Sequence, residues 1–306
     1  HCEGKQKESW TCDVGVELKD NMRAHSISSA FENGKDDEKQ YANNLLEKIL
    51  TETTEPGIQE SRVDKESHGA DKIKVDDLLT YLKQNDKALR ASILEGTYRL
   101  SPVRKVEMPK PDGGKRLLGI PTVIDRMVQQ ANAQILSPIF ENIFFRQQLW
   151  IQPKRDAKHA ILKSKEYVEQ GYRWVVYTDL FKYFDTVSHD KLMALVTREI
   201  KDKRVLKLIK LFLQSGVMIN GLVMEIKESC PQGGPIIPLF GNIMLNEFDK
   251  SLKEGDINSA DTPMPAIYIK AEKQEKDYEK HNKYLEDKLK LKVNKDKSTE
   301  DITWKK

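Results

Sequence analysis

Two turn motifs set between extended arms place the strongest constraint on how this 306-residue chain folds. Pro111–Gly114 (Pro-Asp-Gly-Gly) separates a run that begins at Val103 from one that ends at Ile120, and Asn220-Gly221 lies between two short apolar arms. Asp-Gly and Asn-Gly pairs readily adopt the positive φ angles of tight turns, so both segments are predicted to be β-hairpins. The fold therefore contains antiparallel sheet.

Helices are predicted between and around these hairpins, and the mixture defines the fold class. Apolar residues recur at helical spacing in stretches near 43–50, 75–82, 122–139, 156–170, 188–199, 205–214, 237–252 and 272–289. Short apolar runs predict further strands at Trp174–Leu180, Ala266–Lys270 and Leu291–Asn294. The elements interleave without regular parallel β-α-β alternation, which predicts an α+β fold.

Charge is unevenly distributed along the chain. The totals of 51 Lys and Arg against 48 Asp and Glu say little about partners. Residues 101–160, however, carry ten basic against five acidic side chains, whereas residues 1–40 carry six against nine. Clustered cations gain free energy by displacing counterions from a nucleic-acid backbone, so the middle of the chain is predicted to contact phosphates. An ordinary solvated surface is the alternative interpretation.

Cysteine usage and hydropathy limit the cellular compartments in which the chain is expected. The three cysteines form no Cys-x-x-Cys motif and have no histidine spacing suited to zinc, so neither a disulfide framework nor a structural zinc site is predicted. No apolar run approaches the roughly 18 residues of a membrane span, and the first residues lack the apolar core of a signal peptide. We therefore expect a cytoplasmic protein that does not contact a membrane.

Three blocks of sequence together resemble the reverse transcriptases of group II introns, the maturase family. Pro109–Arg126 resembles the fingers hairpin with the helix behind it, and Thr178–Asp190 resembles the first carboxylate motif of the palm. Pro231–Pro235 with Gly241–Leu245 resembles the template-side palm loop and its helix. The blocks follow the family's order and spacing, and the similarity runs from about residue 43 to the end of the chain.

The resemblance implies the fingers and palm of a right-hand polymerase, with an antiparallel palm sheet backed by helices. The predicted division is a flexible N-terminal arm (1–40), a fingers-like region with N-terminal helices (41–170) and a palm-like domain (171–306). The last residues fall about where the family continues into its final palm segment and thumb. The chain is accordingly predicted to stop before the thumb.

Polymerases of this kind join nucleotides with two divalent ions held by palm carboxylates. By resemblance, Asp179 is the first catalytic metal ligand, the backbone carbonyl of Leu180 lies beside it, and Asp261 is the second carboxylate. A turn or helix-capping aspartate is the alternative for Asp179, and Asp185 and Asp190 fit that alternative better because each precedes or begins a helix. The implied cofactor is Mg²⁺, in a site predicted to be incomplete.

Substrate contacts are also implied by resemblance. Lys110 and Arg116, on the arms of the first hairpin, would contact the nucleoside triphosphate. Tyr183 would pack under the incoming sugar and disfavour a 2′-hydroxyl, and Gln232 and Gly233 would form a loop whose backbone approaches template or nucleotide. Solvated hairpin cations, a core aromatic residue and an ordinary turn remain the alternatives.

The family's pattern breaks at the second carboxylate motif. In place of Tyr-Ala-Asp-Asp this chain has Ser259–Pro265, where only Asp261 matches a carboxylate and two extra residues are present. Proline removes a ladder donor and fixes φ, so Pro263 and Pro265 are expected to abolish the tight turn. A smaller difference is Gln152, which stands where the family has an arginine.

These features imply a group II intron-type RNA-directed DNA polymerase whose synthesis is impaired in this copy. Its partners would be an intron RNA template, a DNA primer and deoxynucleoside triphosphates. The alternative is a non-catalytic, maturase-like protein that binds intron RNA, or an inactive fragment. The loop Ser259–Pro265 is the feature that separates the two. No oligomeric state is predicted.

Overall fold

The computed structural model describes residues 37–52, 68–109, 115–144, 157–172, 174–219, 222–224, 233–254, 258–261, 265–269, 282–295 and 298–302. Backbone contacts divide the chain into His1–Lys39 and Gln40–Lys306. Of the first unit only residues 37–39 are described, at the start of a helix. The rest of the predicted flexible arm lies outside the described residues, and the helix includes the last four residues of that arm, 37–40.

Helices form where the apolar periodicity predicts them. They are α1 (Asp37–Glu52), α2 (Leu78–Leu94), α3 (Val123–Glu141), α4 (Ala157–Glu169), α5 (Tyr183–Thr186), α6 (His189–Glu199), α7 (Lys203–Leu213) and α8 (Ile237–Glu254). A 3-10 turn at Val75–Asp77 precedes α2, and a π-helical turn spans Tyr284–Lys288. The predicted helices that correspond to α3, α4, α6, α7 and α8 are confirmed, and each end lies within two residues of the predicted one. The short helix α5 is not among the predicted helices. Of the helix predicted at 272–289, only residues 282–289 are described.

One four-stranded sheet has the order β2-β1-β4-β5 and unites the two hairpins. Its strands are β1 (Val103–Pro109), β2 (Lys115–Ile120), β4 (Val217–Ile219) and β5 (Leu222–Met224). Both predicted hairpins are confirmed, since β1 pairs antiparallel with β2 and β4 pairs antiparallel with β5. The hairpins join through a short parallel pairing in which Val103 lies opposite Val217. The second hairpin thus extends the first hairpin's sheet, a pairing that no local sequence signal predicts.

The other four-stranded sheet has the order β6-β7-β3-β8, and all its pairings are antiparallel. Its strands are β3 (Trp174–Tyr177), β6 (Asn258–Asp261), β7 (Pro265–Ile269) and β8 (Thr299–Ile302). The sequence did not predict β8, because Thr-Glu-Asp-Ile lacks the apolar run of a buried strand. The strand predicted at Leu291–Asn294 is wrong in that only Val293 forms a bridge, with Leu180. The predicted antiparallel palm sheet is confirmed.

Strand β3 is buried on both faces and links the sheet to the helices. Val176 belongs to the main hydrophobic core, which also includes Leu192 of α6, Phe212 of α7 and Phe248 of α8. Val175 packs on the opposite side in a smaller cluster with a tyrosine of α4. Full burial of one such side chain contributes about 1.5–3 kcal/mol, so residues at the end of β3 are held by a rigid strand.

A buried aspartate joins the ends of the β1–β2 hairpin to the start of α3. The Asp125 carboxylate accepts hydrogen bonds from Tyr98 Oη (2.5 Å), the Ser101 backbone N–H (3.1 Å) and Thr122 Oγ1 (2.7 Å). Thr122 Oγ1 in turn accepts from the Asp125 backbone N–H and caps α3. Burial raises the pKa of Asp125 despite these donors. Ser101 precedes β1 and Thr122 follows β2, so this network fixes the base of the hairpin.

Candidate active site

Asp179 lies two residues beyond the end of β3 and is held by a turn from late in the chain. Asn294 Nδ2 donates to Asp179 Oδ2 at 2.7 Å, and the Asn294 backbone N–H donates to the Asp179 carbonyl at 2.8 Å. The Asp179 backbone N–H donates to Ser298 Oγ at 3.1 Å. Helix α5 is capped by Lys182 rather than Asp179, which argues against the helix-capping interpretation of this aspartate.

The backbone groups of Leu180 point away from Val293. Leu180 and Val293 form a bridge that is flanked by two backbone hydrogen bonds, from Phe181 N–H to the Lys292 carbonyl and from Asn294 N–H to the Asp179 carbonyl, both 2.8 Å. This is the pattern around a non-hydrogen-bonded antiparallel pair, in which both residues direct their own backbone groups away from each other. The Leu180 carbonyl is therefore not used in pairing with Val293.

Asp261 is the last residue of β6, at the same end of the sheet as Asp179. Ala260 and Tyr177 both pair with Ala266 of β7, so the three residues form one row across the sheet. Asp261 follows this row by one residue and Asp179 follows it by two. Two strand spacings put the backbones of β3 and β6 about 10 Å apart. The side chain of Asp261 lies outside what the structure describes.

The prolines at the second carboxylate motif do not prevent the strands from pairing, and the tight turn that they were expected to abolish lies outside the described residues. Strands β6 and β7 pair antiparallel up to Asp261 opposite Pro265, with three connecting residues. Pro265 is tolerated because it is the first residue of β7, where a missing N–H interrupts no continuing ladder. Pro263 falls in the connection, which lies outside the described residues.

Tyr183 occupies the core rather than a substrate cleft. Its side chain is only 8 % exposed, and its hydroxyl donates to the Gly241 carbonyl of α8 at 2.9 Å. Its ring lies 5.0 Å from that of Phe184, centroid to centroid. These contacts favour the core interpretation that the sequence left open, and the sugar-selecting role stays a prediction.

Gly233 lies where its loop crosses strand β2. Its φ of +121° is rarely adopted by residues with a side chain, and an added Cβ would lie 2.5 Å from the Gly119 carbonyl oxygen. The close neighbour that requires glycine is therefore the backbone of the fingers hairpin, not a bound template or nucleotide. This contact joins the palm loop to the fingers sheet.

Gly233→Ala should lower the free energy of unfolding by about 3 kcal/mol, because it adds both backbone strain and a clash with rigid backbone. Gly171→Ala is the matched control, since Gly171 also has a positive φ, +87°, but has no atom within 4 Å of the added Cβ. We expect about 1 kcal/mol for the control. Chemical denaturation of both variants measures the difference, and equal losses would contradict the close approach of Gly233 to strand β2.

The remaining predicted substrate residues are only partly described. Arg116 lies in β2, where its backbone pairs with Met108, and its side chain is outside the described part. Lys110 and Gln232 are also outside the described residues. Their implied roles remain predictions.

The metal site implied by the resemblance fits this end of the sheet in part. The Asp179 carboxylate and the Leu180 carbonyl are oxygen ligands of the kind that Mg²⁺ prefers. The backbone of Asp261 lies at the same end of the sheet. Among the side chains that the structure describes, no three His, Cys, Asp or Glu converge on one point. The described residues therefore supply part of the implied metal site.

Asn294 and Ser298 were not identified from the sequence. They contact Asp179 across sequence separations of 115 and 119 residues, and neither residue type is by itself a signal.

The fold and this arrangement define a template-directed polymerase palm joined to a fingers sheet. The sequence matches the reverse transcriptase (RNA-dependent DNA polymerase) family over residues 108–300, more than half of the chain. The chain therefore belongs to the reverse transcriptase family, and its relatives place it with the group II intron-encoded enzymes and maturases.

Three relatives illustrate this placement. Protein YkfC of Escherichia coli is 38% identical over 220 residues, which cover 68% of this chain and 58% of that protein. Group II intron-encoded protein LtrA of Lactococcus lactis is 35% identical over 171 residues, covering 56% and 28%. The putative COX1/OXI3 intron 2 protein of Saccharomyces cerevisiae is 31% identical over 198 residues, covering 64% and 23%. The chain thus spans little more than half of YkfC and less than a third of the other two.

Proposed function

We propose that this chain is the fingers and palm of an RNA-directed DNA polymerase of group II intron type, with weak synthesis in this copy. The observation that carries the proposal is the position of Asp179 at the end of a buried palm strand, with Asp261 at the same end of the sheet. A polymerase needs carboxylates at this place to hold the ions that align primer and nucleotide.

Different residues of the chain would position the metal ion, the triphosphate and the template. Asp179, Asp261 and the Leu180 carbonyl would hold Mg²⁺, which when bound stabilises charge on the transferring phosphate. Lys110 and Arg116 would hold the triphosphate, since a guanidinium binds phosphate oxygens in a bidentate way. Gln232 would approach the template from the loop that Gly233 fixes against β2.

Weak synthesis is expected because the site has few carboxylates to hold two divalent ions. Two divalent ions about 4 Å apart repel each other, so several carboxylates are needed to hold both. The second carboxylate motif here offers only Asp261, with Thr262 in the next position. One ligand is therefore lacking for the second ion, even though the hairpin strands pair.

A second candidate function is intron RNA binding without catalysis. The basic stretch 101–160 favours it, because clustered cations bind a nucleic-acid backbone whether or not the palm is catalytic. Extension of a DNA primer on an RNA template separates the two functions, because only the polymerase makes product. Both functions would require the chain to be inside the cell, where RNA is present. None of the described helices is long and apolar enough to span a membrane.

RNA binding should weaken steeply with salt. If the basic middle contacts about five phosphates, the affinity for a structured RNA should fall about 100-fold between 50 and 200 mM salt. Lys115→Gln with Arg116→Gln should reduce the slope of log affinity against log salt by about 1.5. Lys83→Gln with Lys87→Gln, on α2, is the matched control. Filter binding across a salt series measures both slopes, and identical slopes in the two variants would contradict a phosphate contact at the hairpin.

A further inference from the structure

We infer that Asn294, supported by Ser298, is a positioning residue that holds the Asp179 carboxylate in the orientation in which it binds a divalent cation. The inference rests on the proposed function, since it concerns the same carboxylate. It adds that Asn294 and Ser298, which are joined by a backbone hydrogen bond, are a working part of the site and not only the end of the palm sheet.

The turn engages each polar group of Asp179. Its backbone N–H, its backbone carbonyl and its Oδ2 are bonded to Ser298 Oγ, Asn294 N and Asn294 Nδ2 respectively. The turn is closed by a hydrogen bond from Ser298 N–H to the Asn294 carbonyl at 2.9 Å. Its approach is fixed by Leu291, which is fully buried and donates its N–H to the Leu285 carbonyl at 2.9 Å. Asp179 is thus held at three points by a segment that is itself anchored in the core.

The hydrogen bond to Oδ2 selects which oxygen meets the cation. A carboxylate accepts at either oxygen, and its terminal torsion is soft, so an unrestrained aspartate would sample several orientations. With Oδ2 bonded to an amide, Oδ1 keeps its lone pairs for an external ligand. Outer-shell partners of this kind orient metal-ligating carboxylates and are worth 10–100-fold in metal affinity.

The amide also suits the electrostatics of the site. Asparagine donates without carrying a positive charge, so Asp179 keeps its full negative charge toward a cation. A lysine or arginine at position 294 would make the same hydrogen bond but would neutralise that charge and repel a divalent ion. Asn294 therefore restrains the Asp179 carboxylate without adding a positive charge to the site.

The side-chain bond is separable from the fold of the turn. The turn's backbone bonds, from Asn294 N–H to the Asp179 carbonyl and from Ser298 N–H to the Asn294 carbonyl, do not involve the amide. Replacing the amide by a side chain of similar volume removes one contact to Asp179 and leaves these bonds available. A purely structural role predicts no specific effect on cation binding.

The test is Mn²⁺ binding to the full chain, followed by electron paramagnetic resonance. Asn294→Leu should weaken Mn²⁺ binding 10–100-fold. Ser298→Ala should weaken it less, and Ser298→Thr, which keeps the hydroxyl, should restore binding. Asn85→Leu is the matched control, because Asn85 Nδ2 donates to the Tyr81 carbonyl (3.0 Å) on α2 and should leave Mn²⁺ binding unchanged.

A double-mutant cycle tests whether Asn294 affects Mn²⁺ binding through Asp179. In an Asp179→Ala background, Asn294→Leu should have no further effect on Mn²⁺ binding, since the residue acts through the aspartate. Unchanged binding in Asn294→Leu, or the same fractional loss with and without Asp179, would overturn the inference while leaving the metal site intact. If the unmodified chain and Asp179→Ala bind Mn²⁺ equally, the proposed metal site itself fails, and the inference fails with it.

Discussion

Restoring the family's Tyr-Ala-Asp-Asp turn should raise primer extension on an RNA template about 100-fold. The variant carries Ser259→Tyr and Thr262→Asp and lacks Pro263 and Met264. The deletion leaves only residue 262 between Asp261 and Pro265, so the last pair of β6 and β7 must open, while the remaining pairs of the hairpin can still form and the turn gains a carboxylate. Supplying one missing electrostatic group at a reacting centre is typically worth 10²–10³-fold in rate. Extension of a labelled primer with Mg²⁺ measures the gain.

A matched variant separates charge from loop shape. It carries the same deletion and Ser259→Tyr but keeps Thr262, so it has the shorter turn without the added carboxylate. We expect synthesis close to that of the unmodified chain. An equal gain in both variants would show that the loop, and not a missing ligand, limits synthesis.

Asp179→Ala in the restored chain should lower primer extension about 1000-fold, because it removes the carboxylate on which the metal site is built. RNA binding should stay within about twofold, since phosphate contacts by basic residues dominate affinity for nucleic acid. Asp185→Ala is the matched control, because Asp185 is an exposed carboxylate in the first turn of α5. Residual synthesis in Asp179→Ala equal to that of the control would contradict the assignment of this residue.

Local signals in the sequence were enough to predict most of the elements. The Asn220-Gly221 pair and the apolar run ending at Asp179 act over a few residues, and both hairpins and β3 form where expected. Long-range pairing has no such signal. The parallel contact of β1 with β4 and the addition of β8 to β3 join segments more than 100 residues apart, and they depend on packing of the whole core.

Two features of the site depend on more than local sequence. Proline is costly inside a ladder, but Pro265 begins β7, where that cost is small, and β6 and β7 pair up to it. The sequence does not reveal which face of the short helix α5 is buried, and the Tyr183 hydroxyl bonds to α8. The apolar run predicts a strand that reaches Leu180, but β3 ends at Tyr177, and Asp179 is held beyond it by Asn294 and Ser298, which meet it only in the folded chain.

Primer extension by the unmodified chain, on an RNA template with Mg²⁺, is the most direct test of the central claim that this copy has a reverse transcriptase palm lacking one metal ligand. We predict product at or barely above the level of Asp179→Ala, together with salt-sensitive RNA binding in the same preparation. Robust extension that Asp179→Ala abolishes would contradict this account, because another carboxylate would then have to complete the site.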